Sequence, residues 1–71
     1  MSDTINTVLL AQVREKLGYT PKCWAVVSQA SAAWHRAYQQ ASDADVPFGK
    51  RGELAYDAEA KVLREALESA P

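Results

Sequence analysis

Residues 21–42 read PKCWAVVSQASAAWHRAYQQAS, and this stretch decides the fold. It holds both tryptophans, one of the three tyrosines, and the single cysteine and histidine of the chain, with no Gly or Pro after Pro21. Trp24, Val27, Ser31, Trp34, Tyr38 and Ala41 recur at alternating intervals of three and four, the spacing that lays side chains along one face of a helix. Cys23, Val26, Ala30, Ala33 and Ala37 widen that face, Ser28 and His35 lie at its rim beside Trp24, and Lys22, Gln29, Arg36, Gln39 and Gln40 fall opposite. Thr20 followed by Pro21 is a strong start signal, because Thr caps free amides and Pro at the first helical position gives up a donor that has no partner there anyway. A helix over 21–42 follows.

Upstream, Ser2-Asp3-Thr4 supplies capping residues for a first helix over about 4–17. Ile5, Leu9, Val13 and Leu17 then repeat at four-residue steps with Val8 and Leu10 beside them, and Gly18 suits the left-handed position that ends a helix. Downstream, Asp43 to Gly52 reads as the one true loop, punctuated by Pro47, Gly49 and Gly52, with Val46 and Phe48 tucked against the helices. A third helix over 53–69 carries an apolar arc of Tyr56, Ala58, Ala60, Val62, Leu63, Ala66 and Leu67. Glu59 projects from the middle of that arc, so its carboxylate must reach water or meet a basic group. The expected fold is all-α: one small three-helix bundle spanning residues 1–71, its last two helices forming a hairpin.

Seventy-one residues suffice for one domain at most, and chains this short bury a small share of their surface. One Cys excludes an internal disulfide, and one Cys with one His cannot complete the usual four-ligand zinc site. No metal or cofactor is expected, and helix packing or a partner must supply the stability. Thirteen of the apolar residues are alanine, which favours helix but buries little area. The core should therefore be thin and the six aromatic residues unusually important.

The formal charge of −1 argues against a non-specific polyanion binder. Residues 1–42 carry four basic against two acidic side chains, and residues 43–71 carry four against seven. The N-terminus lacks a basic targeting segment, and no apolar run approaches the roughly 20 residues that span a bilayer. A cytoplasmic protein without a membrane segment is expected, in keeping with an unpaired Cys.

Trp24, Trp34 and Tyr38 are expected to form the core, with the Trp34–Tyr38 end open to a partner because Trp, Tyr and Arg dominate binding energetics. Arg36 and the Lys50-Arg51 pair complete that candidate partner-binding set. Cys23 lies in the first turn of its helix, where the positive end of the dipole favours a thiolate. A buried structural Cys is the plainer reading, and a thiol sensor or small enzyme centred on Cys23 the sharper one. Asp43-x-Asp45 fails as a calcium loop because Phe48 stands where Gly is needed. Gly49-Lys50-Arg51-Gly52 lacks full phosphate-loop spacing and reads as a solvated loop.

Residues 13–31, VREKLGYTPKCWAVVSQAS, resemble the start of a phage repressor-type (Cro-like) helix-turn-helix domain, with Gly18, Thr20, Ala25 and Ser31 in register. Gln29 stands where that family has its turn Gly, and His35 where it buries an aliphatic. The resemblance implies a break near Ser28–Ala30 and a recognition helix presenting Arg36, Gln39 and Gln40 to DNA, with Lys22 and Lys16 near phosphates. A chain of this charge would need to act as a homodimer to bind DNA tightly. The preferred expectation is a non-enzymatic regulator that docks onto a larger host protein or complex, such as a phage-encoded modulator or inhibitor of transcription machinery. A helix-turn-helix DNA-binding regulator is the alternative.

Overall fold

The computed structural model describes residues 2–69, with side chains from Ile5 onward. Three helices, α1 (Ser2–Leu17), α2 (Pro21–Asp43) and α3 (Phe48–Ser69), account for nearly all of them, and no strand occurs among the described residues. The fold is a small all-α three-helix bundle. The capping roles expected of Ser2, Asp3 and Thr4 rest on side chains outside the described set.

Local chemistry explains each boundary. Gly18 sits at φ +68° and donates its amide to the Arg14 carbonyl at 2.8 Å, which closes α1 with a left-handed cap. Thr20 then serves both helices: its hydroxyl donates to the Leu17 carbonyl at 3.0 Å and accepts from the Cys23 amide at 3.2 Å. The α1–α2 corner is thereby fixed from both sides. At the other end of α2, the Val46 amide reaches the Ala41 carbonyl at 2.9 Å and the Asp45 amide reaches the Ser42 carbonyl at 3.1 Å. This nested pair is a Schellman cap, with Asp45 rather than Gly at the left-handed position, φ +57°.

The expected loop from Asp43 to Gly52 is a correction. Only residues 44–47 connect α2 to α3, and Gly49, Lys50, Arg51 and Gly52 belong to the first turns of α3. The Pro47 carbonyl accepts the amides of Lys50 (2.9 Å) and Arg51 (3.3 Å), starting the helix five residues before the sequence suggested. Glycine weakens helix propensity by only about 1 kcal/mol per residue, so Gly49 and Gly52 do not prevent the first turns from forming on the Pro47 carbonyl. Val46 is half-buried as expected, whereas Phe48 is 77% exposed.

Packing follows from helix length. At about 1.5 Å per residue, α2 and α3 run about 33 Å and α1 about 24 Å, inside a body 39 × 21 × 17 Å. The short connection makes α2 and α3 an antiparallel hairpin with the largest interface in the bundle. α1 lies on α3 and runs in the same direction: Asn6 meets Tyr56 and Glu59, and Lys16 shares a shallow groove with Leu67. Contact between α1 and α2 is sparse, so their corner opens to solvent.

The core is small and rich in alanine. Leu9, Val13, Cys23, Ala30, Ala60 and Leu63 form its buried centre, lined by Leu10, Leu17, Val26, Val27, Val62 and Leu67. Ala41 and Ala55 are buried in the hairpin. The face that α2 buries therefore runs Cys23, Val27, Ala30, Trp34, Ala37, Ala41, turned about half a residue step from the tryptophan stripe. Close approach of the two long helices selects the alanine column as the seam, and Trp24 is carried out to the edge.

Candidate functional site

Of the expected partner-binding residues, Trp34 and Tyr38 do come together. Their rings stack with centroids 5.2 Å apart and planes 12° off parallel, and Tyr56 of α3 meets Trp34 edge-on at 5.7 Å. His35 packs edge-on against the same indole at 5.1 Å. Both Trp34 and Tyr38 are half-buried, and the Trp34 Nε1 is buried without a hydrogen-bond acceptor. This cluster is mainly a wall of the bundle, and a buried unpaired donor opposes its packing. Arg36 projects from the exposed opposite side of α2, about 160° from Trp34 on a helix of 100° per residue. Lys50 is exposed in the first turn of α3, while Arg51 donates its Nε to the Val46 carbonyl at 2.7 Å and so braces the interhelical connection. The five residues do not make one site.

Lys22, Arg36, Gln39 and Gln40, assigned to DNA in the alternative reading, do share one solvent-facing side of α2. Gln39 donates to the Asp43 carboxylate at 3.0 Å, and Lys16 stands apart on α1. α2 is helical without interruption through Ser28–Ser31, so the turn that a helix-turn-helix places there is not formed. Cys23 is buried in the first turn of α2, its amide capped by Thr20. Among the described residues no three His, Cys, Asp or Glu gather as a metal-ligand group, and no helix is long and apolar enough to cross a membrane.

Glu59 finds neither water alone nor a basic group. Its Oε1 accepts the Asn6 Nδ2 at 2.6 Å, and the same amide reaches the Tyr56 carbonyl at 3.0 Å. Asn6 is only 5% exposed, the one buried polar side chain among the described residues. It occupies the inner face of α1, while Ile5, expected in the core stripe, points outward with Val8. The pairing of a buried amide with a half-buried carboxylate thus favours this rotation of α1 on α3, because turning Asn6 outward would take away the donor that Glu59 meets at the interface.

The residues that stand out as a surface feature lie at the α1–α2 corner. Tyr19 is 90% exposed and Trp24 is 70% exposed. With Arg14, Cys23 and Val27 they line a cleft of about 90 Å³. The Trp24 amide donates to the Thr20 carbonyl at 3.1 Å, and Thr20 is itself held to Leu17, so both rings stand on a braced corner. A sequence signal for this arrangement exists in hindsight. Trp24 shares its side of the helix with Ser28, Ser31, His35 and Ser42, a polar column that marks an edge rather than a seam.

No family model, no curated protein and no solved structure matches this chain.

Proposed function

We propose that the chain is a non-enzymatic helical regulator that works by binding a larger macromolecular partner, and that the Tyr19–Trp24 corner is where it docks. One observation carries this reading. A bundle in which four of the eight buried apolar residues are alanine leaves a tryptophan and a tyrosine on its surface, on a corner held by three hydrogen bonds. Burying a large aromatic ring is among the strongest contributions open to a small core, and this chain forgoes it at Phe48 and, side by side at one corner, at Tyr19 and Trp24. Exposed aromatic side chains on a rigid support favour association, since little conformational entropy is lost when they are covered.

Transcription machinery of a phage host is the partner class we assign first, on the small size of the chain and the sequence likeness of residues 13–31 to repressor-type domains, although α2 runs unbroken where those domains turn. Affinity capture with mass spectrometry tests the reading, comparing the native chain with Trp24→Ala and Tyr19→Ala variants whose helicity is verified. A partner retained by the native chain and lost from both variants is the expected result. Capture that is indifferent to both substitutions removes the corner as the docking site, and failure to enrich any macromolecule removes the function.

DNA binding is the second reading, favoured by the exposed side of α2 that gathers Lys22, Arg36, Gln39 and Gln40. It predicts salt-sensitive retention of duplex DNA that Arg36→Ala weakens. An absence of retention at low salt ends it.

A further inference from the structure

We propose that the corner cleft takes an acidic peptide segment, with one aliphatic side chain seated between Tyr19 and Trp24 and a neighbouring carboxylate on Arg14. This rests on the reading of the corner as the docking site and specifies the chemistry of its occupant. Size comes first. The cleft holds about 90 Å³, against the roughly 300 Å³ or more that a drug-sized ligand occupies. It has room for one side chain, not a cofactor or a nucleotide. Apart from Arg14 it is lined by Cys23, Val27 and the two aromatic residues, so the group it seats is apolar.

Charge selects what surrounds that group. Arg14 is the sole charged residue lining the cleft. No side chain among the described residues hydrogen-bonds or ion-pairs with its guanidinium. Lys16 joins it in the last turn of α1, and the first turn of α2 carries no acid. A free planar fork of donors beside an apolar slot is complementary to a carboxylate held on the same chain as an aliphatic anchor. Nucleic acid also carries negative charge, but backbone binding requires a track of several cations with flat stacking room. One Arg and a side-chain-sized slot favour the peptide.

NMR titration of the intact ¹⁵N-labelled chain tests the assignment. Its indole and guanidinium resonances report Trp24 and Arg14 directly. Three synthetic peptides are compared, a leucine pair flanked by glutamates, by glutamines or by lysines, together with a single-stranded oligonucleotide. The glutamate peptide is expected to shift both resonances and to bind about three- to fivefold more tightly than the glutamine peptide, the range of a partly exposed ion pair. Added salt should erase that margin. Arg14→Gln should bring the glutamate peptide down to the glutamine level and leave the glutamine peptide unchanged. Equal binding of the three peptides, no binding of any, an unchanged margin in Arg14→Gln, or stronger binding of the oligonucleotide each overturns the proposal. If the peptides show no acid preference while partner capture still depends on Trp24, the docking site stands and its acidic occupant falls. If Trp24→Ala affects neither, the docking site falls as well.

Discussion

Replacing Trp24 and Trp34 with alanine, one at a time, separates a surface ring from a structural one. A packed tryptophan buries about 150–250 Å². Trp24 keeps three-tenths of its surface from water, which is about 45–75 Å² and, at about 25 cal/mol per Å², about 1–2 kcal/mol. Trp34 is half-buried and touches three other rings, so its truncation falls in the usual range of about 3–5 kcal/mol. A domain of this size has total stability of about 4–11 kcal/mol. Trp24→Ala should therefore remain folded and cooperative, while Trp34→Ala should be largely or wholly unfolded at the weaker end of that range. Urea denaturation followed by far-ultraviolet circular dichroism measures both, since the helical signal does not depend on the deleted fluorophore. Trp34→Phe adds a control: it keeps an aromatic ring in the stack and deletes the unpaired Nε1–H, so it should cost less than half of Trp34→Ala. Equal losses from Trp24→Ala and Trp34→Ala would refute the reasoning. Trp24 would then belong to the core, and the exposed corner would cease to be a candidate site.

Three further outcomes follow from the packing. In a double-mutant cycle of Asn6→Ala and Glu59→Ala, the coupling should be about 1.5–3 kcal/mol, the range for hydrogen bonds to a charged group; a value near zero would dissolve the pairing that sets α1 on α3. Asp45→Gly should raise stability by about 0.5–1 kcal/mol, because Asp45 holds a left-handed backbone that glycine adopts freely; thermal unfolding resolves a gain of that size, and a loss would indicate that the Asp45 side chain contributes more than its strain costs. Cys23, buried in the core, should react with iodoacetamide only as the bundle opens, so its alkylation rate should rise with urea in step with unfolding; alkylation at the rate of the unfolded chain in native buffer would revive the thiol-sensor reading.

Much of the fold is legible in the sequence because helix signals are local. Thr20-Pro21 starts α2, Gly18 ends α1, and the three- and four-residue spacing of apolar groups marks each helix. Backbone bonds four residues apart and caps within one turn need no distant partner. The start of α3 is not legible because Pro47, Gly49 and Gly52 read as loop punctuation, whereas the helix begins at Phe48 with the Pro47 carbonyl as acceptor. The candidate site was less legible. The stripe through Trp24 and Trp34 differs from the buried seam by a rotation of about half a residue step, enough to exchange a core indole for an exposed one.

The chain by itself determined three helices, a thin core in which alanine is prominent, and the absence of an internal disulfide, since composition and neighbouring residues fix these. Tertiary structure alone decided which edge of the α2 arc is covered, which faces of α1 turn inward, and that Glu59 meets Asn6, 53 positions away. The reason is physical: burial at the margin of an amphipathic face depends on where the other helices lie. That position is set by how closely alanine lets them approach and by polar groups that must find each other across the chain.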